Sequence, residues 1–381
     1  MVEALLSIRD LAVSFRGRDG NSCLPLRGVN LEVAPGEVHS LVGESGSGKT
    51  LTATSVLGLL PVPPARIEAG SIRFQGRELL GLPEAERRRI RGRRIGMVFQ
   101  EPSKYLNPSM RVGEQIVEAL ILHLGLGRGD ALARAAELLE LVGLPGGRKV
   151  LRRYPHELSG GMRQRVMIAM AVSCEPVLLI ADEPTTALDV TLQQQILRLL
   201  LELRERLGMA VLFVSHDLAV VHGISERISV IYCGKIVESG SRETVFGRPL
   251  HPYTQALLAS VPEASRRGKR LRAIPGTVPD AAHVPAGCAF HPRCPLAVEK
   301  CRVEVPALLD YAGPGQAPGR APGSSGSGGL ARGGGEGRRP ASVPGSAPAS
   351  VPGSAPASVP GSAPAGMPAA HLAACHLAGQ S

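Results

Sequence analysis

Apolar runs of strand length alternate with stretches of helical periodicity along the chain up to about residue 246. The runs that predict buried strands are residues 38–42, 95–99, 177–181 and 211–215. Between them, apolar positions recur at helical spacing in residues 130–142, with Asp130 as the predicted N-cap, and in residues 192–207. Strands and helices that alternate in this way predict an α/β domain.

Beyond residue 246 this pattern is lost, and composition divides the rest of the chain. Residues 247–311 are rich in Pro and Cys and predict a small C-terminal domain. Residues 312–368 are of low complexity, and residues 341–364 hold three copies of the unit Ala-Ser-Val-Pro-Gly-Ser-Ala-Pro. Because Pro, Gly, Ser and Ala cannot build a core, we expect a disordered, partly extended linker there. Residues 369–381 form a C-terminal tail.

The predicted strand at residues 38–42 runs into a glycine-rich loop that precedes a helix. The loop matches the P-loop pattern G-x-x-x-x-G-K-[ST] through Gly43, Glu44, Ser45, Gly46, Ser47, Gly48, Lys49 and Thr50. Glycines let successive backbone N–H groups point at one phosphate, and the helix N-terminus adds its partial positive charge. We therefore expect Lys49 to reach the β- and γ-phosphates of a nucleotide and Thr50 to give its hydroxyl to Mg²⁺.

Two carboxylates follow the apolar run at residues 177–181, at the end of the strand where ligands bind in open α/β sheets. Asp182 is predicted to hold Mg²⁺, usually through its water shell. Glu183 is predicted to accept a proton from the attacking water. A strand that ends in Asp-Glu is common by itself. Together with the upstream P-loop it predicts a P-loop NTPase.

A second candidate anion site lies between these two motifs. Leu158 is followed by Ser159, Gly160 and Gly161, which precede a predicted helix that ends near residue 173. A hydroxyl and free backbone N–H groups at a helix start can bind an anion. A chain rarely needs two such sites for one nucleotide, so we infer that this one serves the nucleotide of a partner chain.

These motifs, in this order, resemble the ABC transporter ATPases. The resemblance implies an ABC cassette with a helical signature subdomain at about residues 101–173, which hydrolyses ATP with Mg²⁺ between two cassettes. Gln100 matches the Q-loop glutamine that touches Mg²⁺ and couples the catalytic domain to membrane subunits. The segment from Thr186 to Asp189 matches the D-loop that crosses the dimer interface. His216 matches the histidine that contacts the γ-phosphate, and Phe15 is expected to stack on adenine.

Longer segments resemble the ATPases of dipeptide and oligopeptide importers. They include Tyr-Pro-His-Glu-Leu-Ser-Gly-Gly-Met-Arg-Gln-Arg at residues 154–165 and His-Pro-Tyr-Thr at residues 251–254. The resemblance implies a motor for peptide uptake. Its expected partners are a second, different ATPase subunit, two transmembrane permease subunits and an extracytoplasmic substrate-binding protein. The alternative is the same motor serving nickel or another peptide-like solute, because the partner proteins choose the cargo.

Four cysteines lie near the C-terminus. Their spacing is not the Cys-x2-Cys of zinc ribbons. It resembles the cysteine cluster of one of the two paired ATPases in peptide importers. That resemblance implies a [4Fe–4S] cluster held by Cys288, Cys294, Cys301 and Cys375. Structural zinc and thiols without a metal remain alternatives. The last cysteine stands in a Cys-His-Leu context beyond the low-complexity segment, which we interpret as an insertion.

Composition bears on the partners and the location of the chain. The net charge is +10, but aromatic residues make up only 3% and Trp is absent. Proteins that bind nucleic acids by stacking need aromatic platforms, so we expect no nucleic acid and a basic surface near a membrane. No run approaches the roughly 20 apolar residues of a membrane helix. We therefore expect a peripheral protein on the cytoplasmic face of the cell membrane.

Two further classes of function fit less well. ABC ATPases of translation or repair usually carry two cassettes or an inserted coiled coil, and this chain has one cassette and no heptads. A redox or iron sensor on a cassette scaffold would not need to retain Lys49, Glu183 and His216.

Overall fold

The computed structural model describes residues 3–17, 20–186, 188–261, 274–311, 319–320 and 370–378. Apart from residues 319–320, the predicted linker at residues 312–368 and its repeats lie outside the described residues, as does Ala187.

The strands form two sheets. In chain order they are β1 (Leu6–Arg16), β2 (Ser22–Val33), β3 (Val38–Val42), β4 (Ala65–Phe74), β5 (Arg77–Glu78), β6 (Ile95–Val98), β7 (Leu178–Asp182), β8 (Ala210–Ser215), β9 (Arg227–Tyr232), β10 (Lys235–Ser241), β11 (Leu309–Asp310), β12 (Gly319–Arg320) and β13 (Leu372–Ala373). The smaller sheet is antiparallel and has the order β2-β1-β4-β5. In the described residues the larger sheet has the order β12-β11-β13-β10-β9-β3-β8-β7-β6, and β9, β3, β8, β7 and β6 run parallel.

The helices lie between these strands and after them. They are α1 (Lys49–Val56), α2 (Glu84–Ile90), α3 (Pro102–Tyr105), α4 (Val112–Leu124), α5 (Arg128–Leu141), α6 (Gly147–Val150), α7 (Gly160–Val172), α8 (Val190–Leu207), α9 (Leu218–Ile224), α10 (Arg242–Gly247), α11 (Pro252–Ser260) and α12 (Glu299–Val303). Short 3₁₀ turns occur at Pro155–Glu157 and His291–Arg293. In the part of the chain that the structure describes, none of the helices combines the length and the apolarity needed to cross a bilayer.

All predicted strands are present, and their ends differ from the prediction by one residue at most. The predicted N-cap at Asp130 was wrong. Helix α4 ends at Leu124, and Gly125 follows it in a left-handed conformation. Helix α5 then begins after Gly127, its N-cap, so that Asp130 lies in its first turn. Helix α8 also starts earlier than predicted, because Asp189 caps it by accepting the N–H of Leu192 at 2.9 Å.

Two apolar cores lie on opposite faces of the parallel strands. One core joins the strands to helices α4, α5, α7 and α8, and it includes Ile116 and Phe213. The other joins them to the smaller sheet and includes Ile72 and Leu212. Neighbouring residues of β8, Leu212 and Phe213, therefore point into different cores. Burial on both faces explains why the sequence shows unbroken apolar runs at these strands rather than alternation.

The described C-terminal residues extend the cassette. Strand β13 pairs with β10, where Ala373 lies opposite Glu238, and on its other side with β11. Phe290 is fully buried, with its ring 5.3 Å from the rings of both Tyr232 and Tyr253. The described C-terminal residues thus share the larger sheet and a core with residues before 247. The predicted small C-terminal domain is therefore not confirmed as a separate unit in this described part of the chain.

Candidate functional site

The loops that carry the predicted catalytic residues meet at one edge of the larger sheet. Strands β3, β8, β7 and β6 are parallel neighbours, so their carboxyl ends lie side by side. The P-loop follows β3, Gln100 follows β6, Glu183 follows β7 and His216 follows β8. Ligands bind at such an edge in open α/β sheets.

The P-loop has the tight backbone that its glycines predict. Gly46 and Gly48 have φ angles of 79° and 107°, which residues with a Cβ rarely adopt. A Cβ at Gly43 would lie 2.3 Å from the carbonyl oxygen of Ile231. Helix α1 starts immediately afterwards with no side-chain cap. Its first backbone N–H groups are therefore available to an anion at the end of the loop.

Lys49 lies buried within the loop. Its Nζ donates to the carbonyl oxygens of Gly43 at 2.8 Å and Glu44 at 3.0 Å, and it lies 3.8 Å from Oε1 of Glu183. Burial lowers the pKa of Lys49, whereas the nearby carboxylates of Glu183, Asp182 and Glu44 act in the opposite direction. The ammonium group is thus placed beside the backbone that would surround a phosphate.

Of the three residues predicted to bind magnesium, Thr50 and Asp182 lie side by side, whereas Gln100 contacts Glu183. Oγ1 of Thr50 donates to Oδ1 of Asp182 at 3.1 Å. Burial raises the pKa of Asp182 to about 6. A hydroxyl and a carboxylate side by side at the start of α1 are the hard oxygen ligands that Mg²⁺ prefers. The residues present therefore fit the expected ion.

Glu183 contacts the other predicted catalytic residues. Its Oε2 accepts from Nε2 of Gln100 at 2.8 Å and from Oγ1 of Thr186 at 3.0 Å. Its Oε1 lies 3.1 Å from Nδ1 of His216, whose side chain is half exposed. The backbone of Glu183 has φ 45°, an unusual left-handed conformation for a glutamate. These contacts fix the carboxylate at the sheet edge. The sequence places Thr186 in the D-loop match but does not predict its contact with Glu183.

The signature residues form an exposed helix start. Ser159 is the N-cap of α7, and its Oγ accepts the N–H of Met162 at 3.3 Å. A Cβ at Gly160 would meet nothing within 4 Å, whereas one at Gly161 would lie 3.3 Å from Leu192. Ser159 and Gly160 are exposed to solvent. The helix start that is predicted to bind an anion is therefore accessible from solvent.

Two further residues predicted to contact the nucleotide or the partner have local structural roles in the described chain. Asp189 is exposed and caps α8. Phe15 is half-buried in β1, opposite Cys23 and Ala65, and packs against the core beneath the smaller sheet. Their roles at the dimer interface and at adenine remain predictions.

Two residues from the C-terminal part of the chain contact the P-loop and are not predicted from the sequence. Oη of Tyr253 accepts the backbone N–H of Glu44 at 2.9 Å. The guanidinium of Arg293 donates to both carboxylate oxygens of Glu44. The His-Pro-Tyr-Thr segment draws attention to Tyr253, but it does not indicate that Tyr253 contacts Glu44. Nothing in the sequence links Arg293 to Glu44, which lies 249 positions earlier.

The four predicted cysteine ligands line one small cavity. Cys288, Cys294, Cys301 and Cys375 surround it together with His291. All four are free thiols, and burial raises the pKa of Cys288 to about 11. However, the described residues contain no group of three or more His, Cys, Asp or Glu side chains that could hold a metal ion. The arrangement of these thiols therefore does not support the expected iron–sulfur site.

Family models match two parts of the chain. Residues 26–186 match the model described as ABC transporter. Residues 237–301 match the model described as oligopeptide/dipeptide transporter, C-terminal region. The second match includes Tyr253 and Arg293, so the residues that reach the P-loop lie within it.

Individual proteins are similar over most of their length. A probable peptide ABC transporter ATP-binding protein of Sinorhizobium fredii is 50% identical over 309 residues, covering 81% of this chain and 92% of that protein. The oligopeptide transport ATP-binding protein OppD of Escherichia coli is 47% identical, covering 81% and 90%. Its namesake in Bacillus subtilis is 48% identical, covering 78% and 83%.

A solved structure has the same fold. The ATP-binding cassette MJ0796, in a dimeric post-hydrolysis state bound to ADP and Pi, gives a TM-score of 0.56 at 28% identity and covers 62% of this chain and 98% of that chain. Together with the site geometry, these similarities show that the chain is an ABC-type ATPase and belongs to the ATP-binding subunits of the oligopeptide and dipeptide importer family.

Proposed function

We propose that this chain hydrolyses ATP at the interface between two cassettes and thereby powers the import of di- and oligopeptides through membrane permeases. The observation that carries the proposal is the convergence of Lys49, Asp182 and Glu183 in a chain whose C-terminal residues match the oligopeptide/dipeptide transporter region. The names of the relatives refer to peptides and support a peptide cargo over nickel or another peptide-like solute.

The P-loop and its neighbours bind the triphosphate. Backbone N–H groups of the loop and the Lys49 ammonium balance the charge of the phosphates, and they are already oriented before the reaction starts. Mg²⁺, when bound by Thr50 and Asp182, supplies further positive charge at the phosphate oxygens. Phe15 stacks on adenine.

Glu183 activates the attacking water. Its carboxylate is held by Gln100 and Thr186, so one oxygen is oriented to accept a proton from the water. The water oxygen forms a bond to the γ-phosphorus, the bond to the ADP oxygen breaks, and inorganic phosphate leaves. His216 stabilises the charge that spreads over the γ-phosphate oxygens. It lies beside Glu183 and is open enough to reach a bound nucleotide.

A second cassette completes the site. The helix start is exposed at Ser159 and Gly160, with Gly161 buried behind them, and it can bind the γ-phosphate held by a partner's P-loop. Asp189 and the neighbouring Val190, which is 74% exposed, lie at the start of α8 and would face the partner. We propose that the partner is a different, paired ATPase subunit.

The helical subdomain contacts the permeases in this proposal. The chain that leaves Gln100 enters α3 and then α4, and this part exposes apolar side chains at Tyr105, Ile121 and Leu122. Contiguous exposed apolar side chains favour a protein interface, and Ile121 and Leu122 are neighbours in the chain. We propose that two transmembrane permease subunits dock here on the cytoplasmic face of the cell membrane, and that an extracytoplasmic substrate-binding protein delivers the peptide.

For the domain organisation, we propose a cassette at residues 1–246 that includes the helical subdomain at about 101–173. A C-terminal region at residues 247–311 follows, and the linker at 312–368 leads to the tail at 369–381. The pairing of β13 with β10 supports a tail that is anchored to the cassette.

Uptake of labelled di- and oligopeptides by the native cells tests the cargo. Cells that carry Glu183→Gln are expected to lose uptake, and the lengths affected identify the peptides accepted. Glu202→Gln, an exposed position on α8 with the same change in charge, is the matched control. Unchanged peptide uptake together with lost nickel uptake would favour the alternative cargo and leave the ATPase assignment in place.

We also propose that Cys288, Cys294, Cys301 and Cys375 bind a [4Fe–4S] cluster. Four thiolates are the usual ligand set of this cluster, and the four side chains share one cavity. After anaerobic purification of the full chain, Cys375→Ser should lose most of the bound iron and sulfide, and Cys23→Ser should keep it. Zinc in place of iron, or no metal in the wild type, would refute the cluster.

A further inference from the structure

Glu44 of the P-loop is held by two residues from the C-terminal part of the chain. The carboxylate of Glu44 accepts from Nη1 of Arg293 at 2.7 Å and from Nη2 at 3.0 Å. The backbone N–H of Glu44 donates to Oη of Tyr253 at 2.9 Å. Both the side chain and the main chain of this loop residue are therefore fixed from outside the loop.

Both contacts come from a rigid setting. Arg293 has 5% of its side chain exposed, and its Nε donates to the carbonyl oxygen of Pro275 at 2.8 Å. Tyr253 is fully buried, and its ring packs against Phe290. The hydrogen bond with Glu44 is the main cause that raises the pKa of Arg293. A bidentate pair of this kind has a fixed geometry.

The charge of Glu44 matters because the loop must bind phosphates. Glu44 adjoins Lys49 in this loop, because Nζ of Lys49 donates to the carbonyl oxygen of Glu44 at 3.0 Å. Without a partner, the same negative charge would attract Lys49 and repel the phosphates. The positive charge of Arg293 neutralises this carboxylate and so removes the repulsion. Arg293 belongs to a part of the chain for which no phosphate contact is predicted.

We propose that Arg293 and Tyr253 are positioning residues of the ATP site, which hold Glu44 in place and neutralise its charge beside the phosphate-binding loop. The C-terminal region thereby contributes to ATP affinity without touching the nucleotide. This inference rests on the proposed nucleotide site at the P-loop.

A double-substitution series tests the role of this charge. Arg293→Met is expected to raise the Kd for ATP on the order of tenfold, because an unpaired carboxylate then lies near the phosphates. The double variant Arg293→Met/Glu44→Gln should recover most of that loss, since the unpaired charge is gone. Glu44→Gln completes the cycle. The change should appear in the Kd and KM for ATP, with a much smaller effect on kcat at saturation.

Arg302→Met is the matched control. Arg302 is exposed, lies in the same region and carries the same charge, so its loss should leave ATP affinity unchanged. If Arg293 only stabilised the fold, the double variant would bind ATP no better than Arg293→Met, and the inference would be wrong. If Arg293→Met does not fold, Arg293→Lys, which keeps the charge, takes its place and should bind ATP nearly as well as the wild type.

ATP binding by the wild type distinguishes failure of this inference from failure of the proposed site. Binding by the wild type that Arg293→Met leaves unchanged would overturn this inference alone. No ATP binding by the wild type, with Lys49→Ala indistinguishable from it, would overturn the proposed site as well. Tyr253→Phe gives an independent check, because it removes the acceptor of the Glu44 N–H and should also weaken ATP binding without lowering kcat.

Discussion

Glu183→Gln is expected to abolish ATP turnover and to leave ATP binding intact. Glutamine keeps the size of the side chain and can still bond to Thr186, but it cannot take a proton from water. We expect kcat to fall by about 10²–10⁴-fold, the range that a positioned general base contributes. The measurement is phosphate release by the chain assembled with its partner ATPase, with equilibrium binding of ATP measured in parallel.

Glu202→Gln is the control for this result, because it makes the same chemical change at an exposed position of α8. Turnover that survives in Glu183→Gln at more than a few percent of the wild-type rate would show that another group is the base. His216 would then be the first candidate, since its Nδ1 lies 3.1 Å from the same carboxylate.

Lys49→Ala should remove most of the affinity for ATP. The ammonium is buried, and its loss removes the counter-charge of the phosphates. It also leaves the carbonyl oxygens of Gly43 and Glu44 without their donor. Truncation of a buried charge pair costs about 3 kcal/mol, which corresponds to a rise in Kd on the order of a hundredfold. Isothermal titration or fluorescent nucleotide binding measures this change.

Lys149→Ala, at an exposed position of α6, removes the same charge away from the site and should bind ATP like the wild type. Equal affinity in Lys49→Ala and Lys149→Ala would contradict the assigned role of Lys49. The two expected results are also distinct from each other, because Glu183→Gln changes the rate and Lys49→Ala changes the affinity.

The parts of the fold that the sequence predicts depend on short-range patterns. Strands such as β7 and β8 are buried on both faces, so they appear as unbroken apolar runs with clear ends. Because such strands lie parallel in one sheet, the residues after them meet at one edge. The convergence of Lys49, Gln100, Glu183 and His216 therefore follows from the amino-acid sequence and the general geometry of parallel sheets.

Other features depend on contacts between distant parts of the chain. The pair of Arg293 and Glu44 joins two segments whose sequences carry no shared pattern. Helix α5 starts at Arg128 because α4 ends shortly before it, whereas the local sequence alone indicated an N-cap at Asp130. The four cysteines line one cavity, but their spacing along the chain does not determine the distances between their sulfurs.

The pairing of Leu309 with Ala373 brings together two points of the chain that the sequence separates widely. This pairing closes a loop in the chain, and β12, which belongs to the loop, pairs with β11 on its other side. The entropy of closing such a loop grows slowly, by about 0.6 kcal/mol for each doubling of its length. Repeat units can therefore be gained or lost between these strands at little cost to stability. We therefore expect this part of the chain to tolerate changes in length and the insertion of a tag or a reporter domain.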